Sequence, residues 1–121
     1  MTDRTVRSRW DGELRAVVDA GGFPLIVDEP ASVGGTDQGP QPTDLLLASV
    51  ASCFTIALAY SARKREVELS GLDVEVTGTY DGPRFCHLRI AVHADQPGGA
   101  DLEALISAAE RVCYVTGTLR R

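Results

Sequence analysis

Lysine is nearly missing from this 121-residue chain: of its twelve basic residues only Lys64 is a lysine, and no basic run exceeds Arg63–Arg65. The net charge is −5. Nucleic acids and anionic membranes are held by clustered cations, so neither is an expected partner. The opening stretch MTDRTVRSRWDGEL lacks the apolar core of a secretory signal, which predicts a cytoplasmic protein. Three cysteines and two histidines are present, but no pair has a metal-ligand spacing such as C-x₂₋₄-C. No metal and no other cofactor is therefore expected. Internal repeats are missing too. With 44% hydrophobic and 24% charged residues the chain is neither disordered nor fibrous, and residues 1–121 are expected to form a single domain.

One segment lacks charge altogether. Eighteen consecutive residues from Leu45 to Ala62 carry none, and Cys53 sits in their midst. That length touches the lower limit for a bilayer span. Ser49, Ser52, Thr55, Tyr60 and Ser61 interrupt the segment, however, so a buried core helix is expected. Pro42 suits the first helical position, and Thr43 and Asp44 offer a capping oxygen and negative charge. ARKRE places cations at the other end, as the macrodipole favours. A helix apolar on nearly all sides needs cover on nearly all sides. So short a chain has little material for that, which predicts a homodimer.

Before this segment, Val6, Ser8 and Trp10 alternate with Arg7 and Arg9, and Asp11-Gly12 supplies a turn. Leu14, Ala16 and Val18 then alternate with Glu13, Arg15 and Asp19, and Gly21-Gly22 turns the chain into FPLIVDEP. A period of two predicts half-buried strands with one face against a helical layer. Glu29–Gln41 reads as a glycine- and proline-rich loop. After the helix, Leu72, Val74 and Val76 oppose Asp73, Glu75 and Thr77, and Asp81-Gly82-Pro83 makes a turn. Cys86, Leu88, Ile90 and Val92 share the apolar face of the return strand, opposite His87, Arg89 and His93. Cys86 is accordingly expected as an inert core thiol and the histidines as solvated. A second helix begins near Asp101. Leu102, Ile106, Ala109 and Cys113 form its core stripe, and Gly117 is its expected stop. The order βββ, α, ββ, α predicts an α+β domain.

Cys53 and Cys113 thus each fall on a predicted helix. Packed helices lie about 8–10 Å apart and each Cα lies about 2.3 Å from its own axis. Facing residues have Cα atoms roughly 4–5 Å apart, close to the disulfide window of about 4.4–6.8 Å. Spacing alone does not decide whether they face each other. In a cytosolic protein such a pair suits reversible redox chemistry better than a structural bridge. The plainer alternative is that Cys53 fills space as a small hydrophobe.

GGTDQGPQPTDLLLASVASC, followed sixty residues later by AERVCYVTGTL, resembles the OsmC/Ohr family: the osmotically inducible and organic hydroperoxide resistance proteins. RWDGELRA and LIVDEP extend the likeness over nearly the whole chain, on the broad OsmC-like side of the family. The resemblance implies two β-sheet layers around two central helices in an intertwined homodimer. It also implies a thiol peroxidase. Cys53 would attack the peroxide, Cys113 would close a disulfide with it, and a cellular dithiol would reduce that disulfide.

A thiol with a pKa near 8.5 is only about 3% thiolate at pH 7, so Cys53 needs a cation nearby. In the family an arginine held by a glutamate supplies it. Thr43 stands in the glutamate's place here, Asp44 follows on the opposite side of the helix from Cys53, and Arg15 or Arg9 could be the arginine. Strand phase groups Arg15 with Glu13 and Asp19, so a solvated role is open too. Tyr114 stands where the family usually has proline, and the sequence runs eight residues past Cys113, too few for the family's terminal strand. The leading expectation is an organic hydroperoxide reductase. The alternatives on the same fold are a non-enzymatic binder of small hydrophobic ligands and a redox sensor.

Overall fold

The computed structural model describes residues 2–120, whose backbone separates into two compact units divided after Leu46. In the first, β1 (Arg7–Trp10), β2 (Ala16–Ala20) and β3 (Phe23–Val27) form an antiparallel sheet in the order β1-β2-β3. Gly21 and Gly22, both at positive φ, join the paired residues Ala20 and Phe23 in a two-residue turn. That backbone matches the twist of the flanking strands. The β1–β2 connection is longer than the Asp11-Gly12 dipeptide suggests. It runs to Arg15, whose carbonyl accepts the Asp11 N–H at 2.9 Å. The alternation of β1 has no counterpart in burial, because all four of its residues are exposed and Trp10 is 75% so. Alternation reports where side chains point, not whether anything covers them.

Asp28, directly after β3, organises the expected loop. Its carboxylate accepts the N–H groups of Glu29, Thr36 and Gln38 and the Thr36 hydroxyl. The loop closes where the Asp28 N–H donates to the Pro40 carbonyl at 3.0 Å. Inside it, a Cβ on Gly35 would collide with the Glu29 carbonyl, so only glycine lets the chain double back so closely.

α1 (Pro42–Lys64) starts at Pro42 and ends in Arg63 and Lys64, as its sequence signals required. It is long and apolar enough to cross a bilayer, with a mean hydropathy of 1.9 over its best window. Its buried residues Val50, Phe54, Ala57, Leu58, Ser61 and Ala62 nevertheless form one stripe at helical spacing. The remainder of the second unit is the hairpin β4 (Asp73–Tyr80) and β5 (Phe85–His93), then α2 (Gly99–Val112) and α3 (Tyr114–Leu119). Its core joins Phe54, Ala57, Leu58 and Ala62 of α1 to Leu105 and Ala109 of α2 and to Cys113. Val74, Ile90 and Val92 cover this core from the hairpin. Two small sheets and helices make an α+β fold.

Two sequence expectations fail inside this unit. Cys86 is exposed, not a core thiol. Thr79 pairs with His87 and Tyr80 with Phe85, which leaves Cys86 as the extra residue of a β-bulge. A bulge shifts the inward phase by one residue, so Phe85 and Leu88 turn inward and Cys86 turns out. The second helix is also not continuous. It breaks at Cys113, whose φ of −80° and ψ of 109° are extended, and Gly117 lies within α3 instead of ending a helix.

Candidate thiol site

Cys53 lies in the middle of α1, half-buried, where the helix consumes its own backbone donors. Cys113 occupies the joint between α2 and α3 and is only 3% exposed. Its N–H donates to the Ala109 carbonyl at 3.0 Å, closing α2, and its carbonyl accepts the Gly117 N–H at 3.0 Å, opening α3. VCYVT is rich in β-branched and aromatic residues that weaken a helix, so a break here costs little. Tyr114 becomes the first residue of α3, the position where proline is favoured. The proline expected there from the family resemblance was therefore the available signal for the break. Tyr114 can replace it because the N–H at that position is unused by the helix in any case.

The three thiols are free, and the fold brings two of them together. Cys113 belongs to the core cluster, Cys53 packs against that cluster, and the Cys53 thiol is among the groups that lower the Cys113 thiol. Burial pushes the Cys113 thiol up. The Thr116 hydroxyl and N–H, the Cys53 thiol and the Val115 N–H outweigh it and bring the net shift below the ordinary value. Cys113 makes no side-chain cap on α3. The Thr116 hydroxyl also reaches the Cys113 carbonyl, at 3.3 Å.

Cys53 opens onto a cavity of about 400 Å³ lined by Ile56, Ala57, Tyr60, Val112 and Tyr114. The walls are mostly hydrocarbon, with two phenols at hand. Tyr114 is 87% exposed, so its ring stands at the outside of the cavity. Cys86 takes no part in this site; its Sγ lies 3.4 Å from Nδ1 of His87. Among the described residues no cluster of histidine, cysteine and acidic side chains could hold a metal ion.

Arg15 lies in the first unit. Its guanidinium is not a solvated one: the side chain is 17% exposed. Nε donates to Asp11 Oδ2 at 3.0 Å, Nη2 to the Asp11 carbonyl at 2.8 Å and Nη1 to the Thr36 hydroxyl at 2.9 Å. Thr36 in turn donates to Asp28, whose carboxyl is lowered from 3.8 to about 2, chiefly by that hydroxyl and then by the loop N–H groups. The sequence reading missed Asp11 and Asp28. Asp11 thus holds the Arg15 guanidinium through both its carboxylate and its carbonyl. Arg9 and Asp44 are exposed.

The model of the family described as OsmC-like protein matches residues 35–121. Among curated proteins, none matches the sequence significantly. A Psychrobacter arcticus 273-4 protein associated with osmotic stress and detoxification superposes with a TM-score of 0.82 at 25% identity, over 99% of this chain and 90% of its own. An organic hydroperoxide resistance protein from Legionella pneumophila gives 0.72 at 22% identity, over 99% and 90%. One from Elizabethkingia anophelis gives 0.67 at 25% identity, over 98% and 90%.

Proposed function

The chain belongs to the OsmC-like protein family, and from that premise we propose that it reduces organic hydroperoxides through a cysteine cycle. The Cys53 sulfur attacks the O–O bond, an alcohol leaves with the proton, and Cys53 becomes a sulfenic acid. Cys113 then attacks the same sulfur, water leaves, and a Cys53–Cys113 disulfide forms. A cellular dithiol returns both thiols.

The observation that carries this reading is that Cys53 packs against the core cluster containing Cys113 and lines an apolar cavity. Ile56, Ala57 and Val112 suit the hydrocarbon part of an organic hydroperoxide. Hydrogen peroxide has no such part and gains nothing from those walls. The Legionella and Elizabethkingia proteins carry the name of organic hydroperoxide resistance, which supports the same substrate class. Arg15 enters from the family resemblance as the cation favouring the Cys53 thiolate, and an intertwined homodimer in the cytoplasm belongs to the same reading.

Thiol counting by mass spectrometry before and after one equivalent of cumene hydroperoxide tests the proposal. Loss of two thiols, at Cys53 and Cys113, is the expected result. A folded protein that keeps both thiols would leave Cys53 as packing and favour the ligand-binding alternative.

A further inference from the structure

The two sulfurs of the pair are not equivalent, and their difference bears on how the disulfide is reopened. Cys53 faces the cavity of about 400 Å³, whereas Cys113 is 3% exposed and belongs to the core cluster with Phe54, Leu58, Leu105 and Ala109. Displacement at sulfur needs the incoming thiolate in line with the S–S bond, opposite the departing sulfur. Cys53 is the sulfur that lines the cavity, so a nucleophile there meets Cys53. A nucleophile aimed at Cys113 would have to come through packed side chains.

We infer that an external thiol reducing the Cys53–Cys113 disulfide attacks Cys53 and expels Cys113. This rests on the thiol cycle proposed above and adds its direction. The thiolate RS⁻ forms a new S–S bond to Cys53, the Cys53–Cys113 bond breaks, and Cys113 departs with the electron pair. A second thiolate, from the same dithiol or from another monothiol, then displaces Cys53 from the mixed disulfide.

Departure is favoured on the same side. At the joint before α3, burial raises the Cys113 thiol, but the Thr116 hydroxyl and N–H, the Cys53 thiol and the Val115 N–H outweigh it and leave it below its ordinary pKa. Cys53, in mid-helix, has neighbours whose N–H groups are committed to the α1 ladder. The sulfur better stabilised as an anion leaves faster. Thr116 is in this sense a positioning residue for the leaving group.

The test uses full-length protein carrying Cys86→Ala, since the exposed Cys86 thiol would itself form adducts. After oxidation with one equivalent of cumene hydroperoxide, the protein is treated briefly with 2-mercaptoethanol, quenched in acid, alkylated and peptide-mapped. The expected product carries mercaptoethanol on Cys53 and the alkyl group on Cys113. An adduct mainly on Cys113, or shared equally, overturns the inference. Thr116→Val should slow reduction by about tenfold, the effect of one hydrogen bond to an anion, while Thr116→Ser keeps the wild-type rate. Oxidation with diamide in place of peroxide separates the two proposals. If diamide forms the disulfide and peroxide does not, the peroxidase reading fails and the direction of reduction is still measured. If neither reagent forms it, the inference falls as well.

Discussion

Cys53 and Cys113 are both small apolar side chains by composition, yet one residue of local backbone separates their chemistry. Cys53 lies in mid-helix, whereas Cys113 sits at a helix start with its thiol below the ordinary value. Substitutions should therefore differ in kind. Cys53→Ser should abolish peroxide consumption, because a serine hydroxyl is a far poorer nucleophile at neutral pH. Cys113→Ser should react once and stall as a sulfenic acid that dimedone labels. Equal loss in both, with no dimedone adduct, would contradict that division of labour. Asp28 allows a prediction of a different sort. Its folded carboxyl titrates at about 2 against 3.8 in the unfolded chain, so its stabilisation is complete above about pH 4 and is lost as pH falls towards 2. Urea midpoints of wild type and Asp28→Asn should lie well apart at pH 6 and draw together only as pH falls through about 2; a constant gap would mean that the carboxylate charge is not what holds the loop.

Among the elements, α1 and α2 carry the packing and β5 carries the exception. Leu58 and Leu105 are 0% and 1% exposed and sit on facing helices of one core. Leu58→Ala or Leu105→Ala should each cost about 2–5 kcal/mol by urea denaturation, the range for a cavity in a packed interior. Tyr114→Pro should change stability by less than about 1 kcal/mol, because position 114 opens α3 and Cys113 before it is already extended. A large loss there would show that the Tyr114 N–H is in use. The bulge in β5 makes its own prediction. Cys86 should react with a disulfide reagent in the native protein at close to the rate of a free thiol, and Cys113 only on unfolding. Protection of Cys86 in solution would mean that another surface covers the bulge.

At the scale of the whole molecule, apolar surface remains without cover. Ile56 and Tyr60 on α1, and Trp10 and Phe23 on the three-stranded sheet, are exposed in the single chain. A second copy of the chain can cover such side chains on each unit. A homodimer is the expected answer, and light scattering at micromolar concentration should give about twice 12.9 kDa. A stable monomer at that concentration would remove the intertwined architecture from the reading.

The sequence by itself determined the order of the strands and of the two long helices, the three-stranded meander and the start of α1 at Pro42. These depend on period and on local turn chemistry, which are properties of adjacent residues. Only the tertiary structure decided that Cys86 points outward, because one extra residue in a strand reverses the phase and leaves no trace in composition. Only it revealed that Cys113 sits at a helix joint instead of on a helix face. The sequence offered continuous apolar spacing there, and the break depends on which backbone donors find partners across α2 and α3. The nearness of Cys53 to the cluster containing Cys113 is of the same kind. Sixty residues separate them along the chain, and packing of Phe54, Leu58, Leu105 and Ala109 brings them together.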